Sequence, residues 1–306
     1  MTEAKYTPEE IIAKLQAHPK FGSQIKPITK HQSAIISSGL EPAVVIAGAG
    51  SGKTETMSNR VLYLVANGFA TPDQILGLTF TRKAAGELSV RIRKRLRQLS
   101  QLPEFKHITS SSTAVTTYHS YAGKLLSEHA IRYGIDADAD PLGEAAIWQI
   151  ASDVVRNWSD DSYRNDSAVS TVIKDLLGLS KFMLEHQVKA SDIEAIGNEM
   201  LEKLQLLGGS TNEDTRAVAR AMRQRNSLLP MVEAFMERRK ASGELSFDDQ
   251  MSLAADIAQN FEDVGTLERG KYTVVLLDEY QDTSQSQVRM LSSLYGAGHP
   301  VMAVGD

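Results

Sequence analysis

The sequence predicts an α/β fold, a parallel sheet wrapped by helices and interrupted by a long all-helical segment. Three observations carry this. Short apolar runs alternate with helical patterns over residues 1–125, the pattern of a parallel sheet joined by crossover helices. Strand-like runs then vanish, and helical periodicity takes over across residues 126–245. The strand signal returns at "YTVVLLDEY" and again at "PVMAVGD". The chain is long enough for about two domains. The expected division is residues 1–125 and 246–306 as two parts of one α/β domain, with 126–245 as an insertion.

Taken in order, Thr7-Pro8-Glu9-Glu10 supplies an N-cap, a proline at N1 and a glutamate at N3, a capping box opening a short amphipathic helix. "PAVVIAGAGSGKTETMSNRVLYLVANG" reads as strand, glycine loop and helix, with Gly68 near the helix end. "ILGLTF" is a further strand followed by a basic helix, and "TAVTTYHSYAGKLLSEHAI" is strand, turn and helix. In the helical segment Ile147, Ile150, Val154 and Trp158 share one face, and Ile193, Ile196, Met200 and Leu204 share another. The second of these helices is expected to open on a capping box at Ser191-Asp192-Ile193-Glu194. "GGSTNED" reads as a loop, and Pro230 is expected to interrupt or kink its helix.

Composition narrows the function classes. With 42% hydrophobic and 23% charged residues the chain reads as globular. The N-terminus carries Glu3, Glu9 and Glu10 and no long apolar run, which argues against a secretory signal, and no run of 18 apolar residues suggests a membrane span. There is no cysteine, so disulfides, thiolate zinc and iron–sulfur ligation are excluded within this stretch, and a cytoplasmic location is expected. The net charge of −5 speaks against nucleic acid, yet "RKAAGELSVRIRKRLRQL" sets Arg82, Lys83, Arg91, Arg93, Lys94, Arg95 and Arg97 against Glu87 alone. Such a patch can bind phosphate or form a solvated helix face.

"AGAGSGKT", Ala47 to Thr54, sits between strand and helix, where a phosphate-binding loop belongs. Ala49, Gly50, Ser51 and Gly52 would turn backbone N–H groups toward phosphate oxygens, helped by the helix N-terminus. Lys53 would reach the β and γ phosphates, and the Thr54 hydroxyl would sit on Mg²⁺. "VVLLDEYQDT" runs a buried strand straight into acids at its carboxyl end, the side on which α/β sheets bind ligands. Asp278 can hold a nucleotide-bound Mg²⁺, and Glu279 can orient or deprotonate the attacking water. Acids there could instead cap the next helix. Together the two motifs point to a nucleoside triphosphatase using ATP and Mg²⁺.

"DEYQDT" closely resembles motif II of the superfamily 1 DNA helicases of the UvrD, Rep and PcrA type. "ITKHQSAI" resembles their glutamine motif with Gln32 in the key place, "LTFTRKAAGEL" motif Ia, "TTYHS" motif Ib, "LSFDDQ" the segment re-entering the motor domain, and "AVGD" the first half of motif III. The resemblance implies a RecA-like P-loop NTPase sheet with helices on both faces. It implies that Gln32 reads adenine and that Gln281 senses the γ-phosphate and carries its state to the DNA surface. Thr79, Phe80, Thr81 and Arg82 would touch single-stranded DNA, Phe80 against a base, and Thr117 and His119 would contact its backbone. The partners implied are single-stranded DNA and duplex junctions, with 3′ to 5′ translocation and a place in repair or recombination. A likeness to end-resecting helicase-nucleases in "AGAGSGKTETM" would add a partner subunit. The chain departs from its relatives at Glu55, where they often carry arginine. It also stops at Asp306, before the rest of motif III and the second motor domain with its arginines, so it is expected to be an N-terminal piece that alone hydrolyses ATP weakly or not at all.

Overall fold

The computed structural model describes residues 4–108, 113–134, 142–159, 167–206, 213–242 and 245–306. In chain order the elements are α1 (Pro8–Gln16), α2 (Lys30–Ile36), β1 (Ala43–Ile46), α3 (Lys53–Ala66), β2 (Ile75–Thr79), α4 (Arg82–Leu99), β3 (Ala114–Thr117) and α5 (Tyr118–His129). There follow α6 (Glu144–Arg156), α7 (Val169–His186), α8 (Ala190–Leu206), α9 (Glu213–Ser242), α10 (Phe247–Asn260), α11 (Glu262–Lys271), β4 (Val274–Leu277), α12 (Gln285–Tyr295) and β5 (Val301–Gly305). They fall into two compact units: Met1–Ala122 with Ala255–Thr283 and Gln287–Asp306, and Gly123–Ala254 with Ser284–Ser286.

In the first unit all five strands are parallel, in the order β1-β5-β4-β2-β3. Every residue of β2 and β4 is buried, because strands covered on both faces have no solvent side on which to alternate. β1 lies at the sheet edge and does alternate, leaving Val44 and Ile46 70% and 80% exposed. The core is built from α1, α3 and α4 against the strands: Ile11 and Leu15, Met57 and Val61, Leu88, Ile92 and Leu96, with Leu276 and Val304.

Local chemistry sets the helix ends. Thr7 and Glu10 form the expected capping box, and Thr29 with Gln32 forms a second at the start of α2. Gly68 adopts φ 72° beyond the end of α3, where its N–H reaches the Val65 carbonyl at 3.1 Å. On α4, Leu88, Ile92, Leu96 and Leu99 turn inward, while Arg93, Lys94 and Arg97 stay exposed.

The second unit has an apolar core drawn from α6 to α9, centred on Val154, Ile173, Leu176, Ile193, Val232 and Phe235. Ile147, Ile150 and Trp158 pack against it as their shared face predicts. Three expectations are corrected here. α9 continues for 30 residues across Pro230, so the proline does not interrupt it; the flanking Leu228, Leu229, Met231 and Val232 are all buried, and that packing outweighs the lost backbone hydrogen bond. α8 opens two residues earlier than expected, with the Asp192 carboxylate accepting the Lys189 N–H at 3.1 Å. Its buried line is Ala190, Ile193 and Gly197, so Ile196 and Met200 stand 60% and 47% exposed. Residues 208–212 of the predicted glycine loop lie outside the described residues.

Candidate nucleotide and nucleic-acid site

The loop after β1 turns on two glycines whose backbones L side chains rarely adopt, Gly50 at φ 79° and Gly52 at φ 90°. Gly52 is also the N-cap of α3, so the loop delivers its N–H groups at a helix N-terminus. A Cβ on Gly52 would lie 2.8 Å from Gln32 Nε2. Gln32 therefore grips the loop: its Nε2 donates to the Ser51 carbonyl at 3.3 Å while its Oε1 accepts the Thr29 N–H at 3.0 Å. Behind the loop, the buried Arg60 of α3 donates to the carbonyls of Ile36, Ser38 and Gly39 at 2.6, 2.5 and 2.7 Å, fastening the end of α2 to α3.

A cleft of about 370 Å³ opens beside this loop, lined by Ala49, Gly50, Gly52, Lys53, Thr54, Glu55, Arg91, Glu279 and Asp306. Lys53 is ion-paired with Asp306 and lies 3.7 Å from Glu279. Those carboxylates hold its ammonium above the usual lysine range, the Asp306 contact contributing most. Asp278 is 6% exposed at the end of β4, and burial followed by the adjacent Glu279 pushes its carboxyl up. The buried Thr79 hydroxyl, which has no other partner among the described residues, faces that carboxylate and partly offsets the effect. Glu279 sits in the left-handed region at φ 52°, a conformation costing a non-glycine residue on the order of 1 kcal/mol and concentrated at functional sites. Gln281 joins two strand ends: its Nε2 donates to Glu279 Oε2 at 2.8 Å and its Oε1 accepts the Asp306 N–H at 3.1 Å.

The residues expected to meet DNA divide by exposure. Thr81 and Arg82 are exposed at the start of α4, with Thr81 Oγ1 accepting the Ala84 N–H at 3.0 Å as N-cap. Phe80 and His119 are partly exposed. Thr79 and Thr117 differ from that expectation. Both are buried; Thr79 faces Asp278, and Thr117 Oγ1 accepts the Ser120 N–H at 3.1 Å, so their side chains act inside the fold. Sequence reasoning missed Tyr118. Its ring lies 4.9 Å from that of Phe80, and its hydroxyl donates to the Asp278 carbonyl at 3.2 Å, linking the two regions through one fully buried side chain. It missed the Glu55 pairing with α4 too, although Arg91 and Arg95 stand one helical turn apart and could have suggested a shared partner.

A parallel sheet with a glycine loop leading into a helix, and an acidic strand end beside it, defines a P-loop α/β domain. The chain belongs to the UvrD/REP helicase N-terminal domain family, whose model matches residues 28–306. Among curated proteins it is similar to the ATP-dependent DNA helicase UvrD1 of Mycobacterium tuberculosis, 29% identical over 267 residues, covering 87% of this chain and 30% of that protein. It is also similar to UvrD1 of Mycobacterium leprae, 26% identical over 269 residues, with coverages of 88% and 30%. A third relative is the ATP-dependent DNA helicase PcrA of Staphylococcus aureus, 24% identical over 275 residues, covering 90% of this chain and 32% of that protein. The chain thus spans about a third of the length of these relatives.

Proposed function

We propose that this chain is the ATP-binding portion of a DNA helicase motor, which in a longer protein couples ATP hydrolysis to 3′ to 5′ movement on single-stranded DNA and to duplex unwinding in repair or recombination. The observation that carries the reading is the convergence of Lys53, Thr54 and Glu279 on one cleft, with the buried carboxylate of Asp278 next to Glu279 at the end of β4 and within electrostatic reach of Lys53. Residues 1–125 and 246–306 would form the motor domain, and 126–245 its helical insertion.

Lys53 holds the β and γ phosphates, exchanging its contacts with Asp306 and Glu279 for them. The residues fit a bound Mg²⁺. Asp278 is a desolvated carboxylate that a divalent cation would relieve, and Thr54 lies at the loop's end. Among the described residues no three His, Cys, Asp or Glu gather as a metal cluster, which suits an ion that takes its remaining ligands from phosphates and water. When bound, that ion neutralises charge on the transferring phosphoryl group. Glu279 orients the attacking water, and Gln281, tied to Glu279, reports on the γ-phosphate. Phe80, Thr81, Arg82 and His119 offer the contacts to single-stranded DNA, and Gln32 meets the adenine at the free edge of its amide. Among the described residues no helix is long and apolar enough to cross a membrane. The compartment that goes with this reading is the cytoplasm.

The test is ATP hydrolysis by the chain with and without single-stranded DNA, with Lys53→Ala as the blank. DNA-stimulated turnover above the blank supports the motor reading. Nucleotide and DNA binding without turnover would reduce the chain to a binding module that needs further residues to close its site. No binding of either would sink the proposal.

A further inference from the structure

Glu55 follows the phosphate loop directly, and a carboxylate there would repel a polyphosphate. Its charge is met twice from α4, by Arg91 Nη1 at 3.0 Å and Arg95 Nη2 at 2.5 Å. The two arginines are not equivalent. The Arg95 side chain is 10% exposed, lies outside the nucleotide cleft and also bonds Gln98. Arg91 is 42% exposed and lines the cleft with Lys53 and Thr54. One buried guanidinium suffices to neutralise Glu55, which leaves the second at the cleft wall with donors to spare.

We propose that Arg91 is a ligand for the phosphates of the bound nucleoside triphosphate, supplied from α4 rather than from the position after the loop, with Glu55 as the anchor that holds it at the cleft. The inference rests on the reading of residues 47–54 as a triphosphate loop. Arg91 then gives α4 a direct contact with the nucleotide, and the same helix begins at Arg82 and the Thr81 cap. Nucleotide occupancy is felt by the helix that presents the expected DNA contacts.

The test is calorimetric titration of the chain with Mg-ATP. Because Arg91→Ala alone would also bare Glu55, the decisive comparison is made with Glu55 neutralised. Glu55→Gln should bind at least as tightly as the parent, and the Glu55→Gln, Arg91→Ala pair about tenfold more weakly than Glu55→Gln. Glu55→Gln with Arg95→Gln should stay within about twofold of Glu55→Gln, since Arg95 lies outside the cleft. If the Arg91→Ala pair fails to fold by circular dichroism, Arg91→Gln replaces it with the same expected loss. Unchanged affinity on losing Arg91, or an equal loss on losing Arg95, overturns the inference. Lys53→Ala separates the two readings: if it binds weakly while the Arg91 pair binds normally, only the inference falls, and if it binds normally the loop assignment falls first.

Discussion

The two units of this chain are stabilised alike and differ in where chemistry resides. Each has an apolar core of buried aliphatic side chains with an occasional aromatic, Phe105 in one and Phe235 in the other. In the α/β unit, strands of four or five residues end in a glycine loop, an acidic pair and a threonine cap. The proposed function there hangs on single backbone positions such as Gly50, Gly52 and Glu279. In the helical unit, 30 residues of α9 absorb an internal proline without a break, because contact along its length decides the structure. Short strands with loaded ends are intolerant of change, and long packed helices are forgiving.

The sharpest test of that contrast is a pair of core truncations. Phe235→Ala should cost about 3–5 kcal/mol and Leu276→Ala about 2–5 kcal/mol. Denaturant unfolding followed by nucleotide titration should then diverge, with the first variant keeping Mg-ATP affinity and the second losing it. Equal loss of affinity in both would show that the units do not stand apart. Next in size is Gly52→Ala, which forces a side chain into φ 90° and against Gln32. It should destabilise by about 1–3 kcal/mol and abolish nucleotide binding. An intact affinity would mean that the loop has slack which the geometry denies.

Asp278→Asn should move stability and function in opposite directions. Removing a charge that burial disfavours should stabilise the α/β unit by about 0.5–2 kcal/mol, while magnesium-dependent nucleotide affinity drops. A lowered melting temperature would mean that the carboxylate is better solvated than its 6% exposure implies.

The smallest expected effect belongs to His299, which burial holds below the ordinary imidazole value of 6.5 and whose Nε2 has no hydrogen-bond partner among the described residues. As pH falls, the unfolded chain takes up the proton first, so stability present above pH 6.5 is lost as the pH drops through the lowered folded value. Less than about 1 kcal/mol should be involved, the ring being partly solvated. His299→Gln should flatten melting temperature between pH 7 and 5, and an unchanged slope would assign the drop to other groups.

What could be read from the sequence follows the same division. The glycine loop, the strand order of events and the Thr7 capping box were legible because each needs particular residues at fixed spacing. The face of α8 was not. Helical periodicity allows neighbouring stripes, and the choice of Ile193 and Gly197 over Ile196 and Met200 was made by what packs against them. Thr79 and Thr117 misled for a related reason: a threonine at a strand end serves a surface or a buried neighbour equally well, and composition cannot tell which. Tyr118 was hidden because its partner, a backbone carbonyl 160 residues away, has no sequence signature.

Arg60 carries one more consequence. Its guanidinium clamps the last turn of α2 to the body of α3, so the amide of Gln32 and the phosphate loop are mounted on one rigid jaw. If the loop takes a triphosphate and Gln32 the base, as proposed, the pair would measure a ligand by the span between its two ends rather than by either end alone. Burial lowers the Arg60 pKa to about 10, far above neutrality, so the guanidinium stays charged and its three carbonyl acceptors keep the clamp closed.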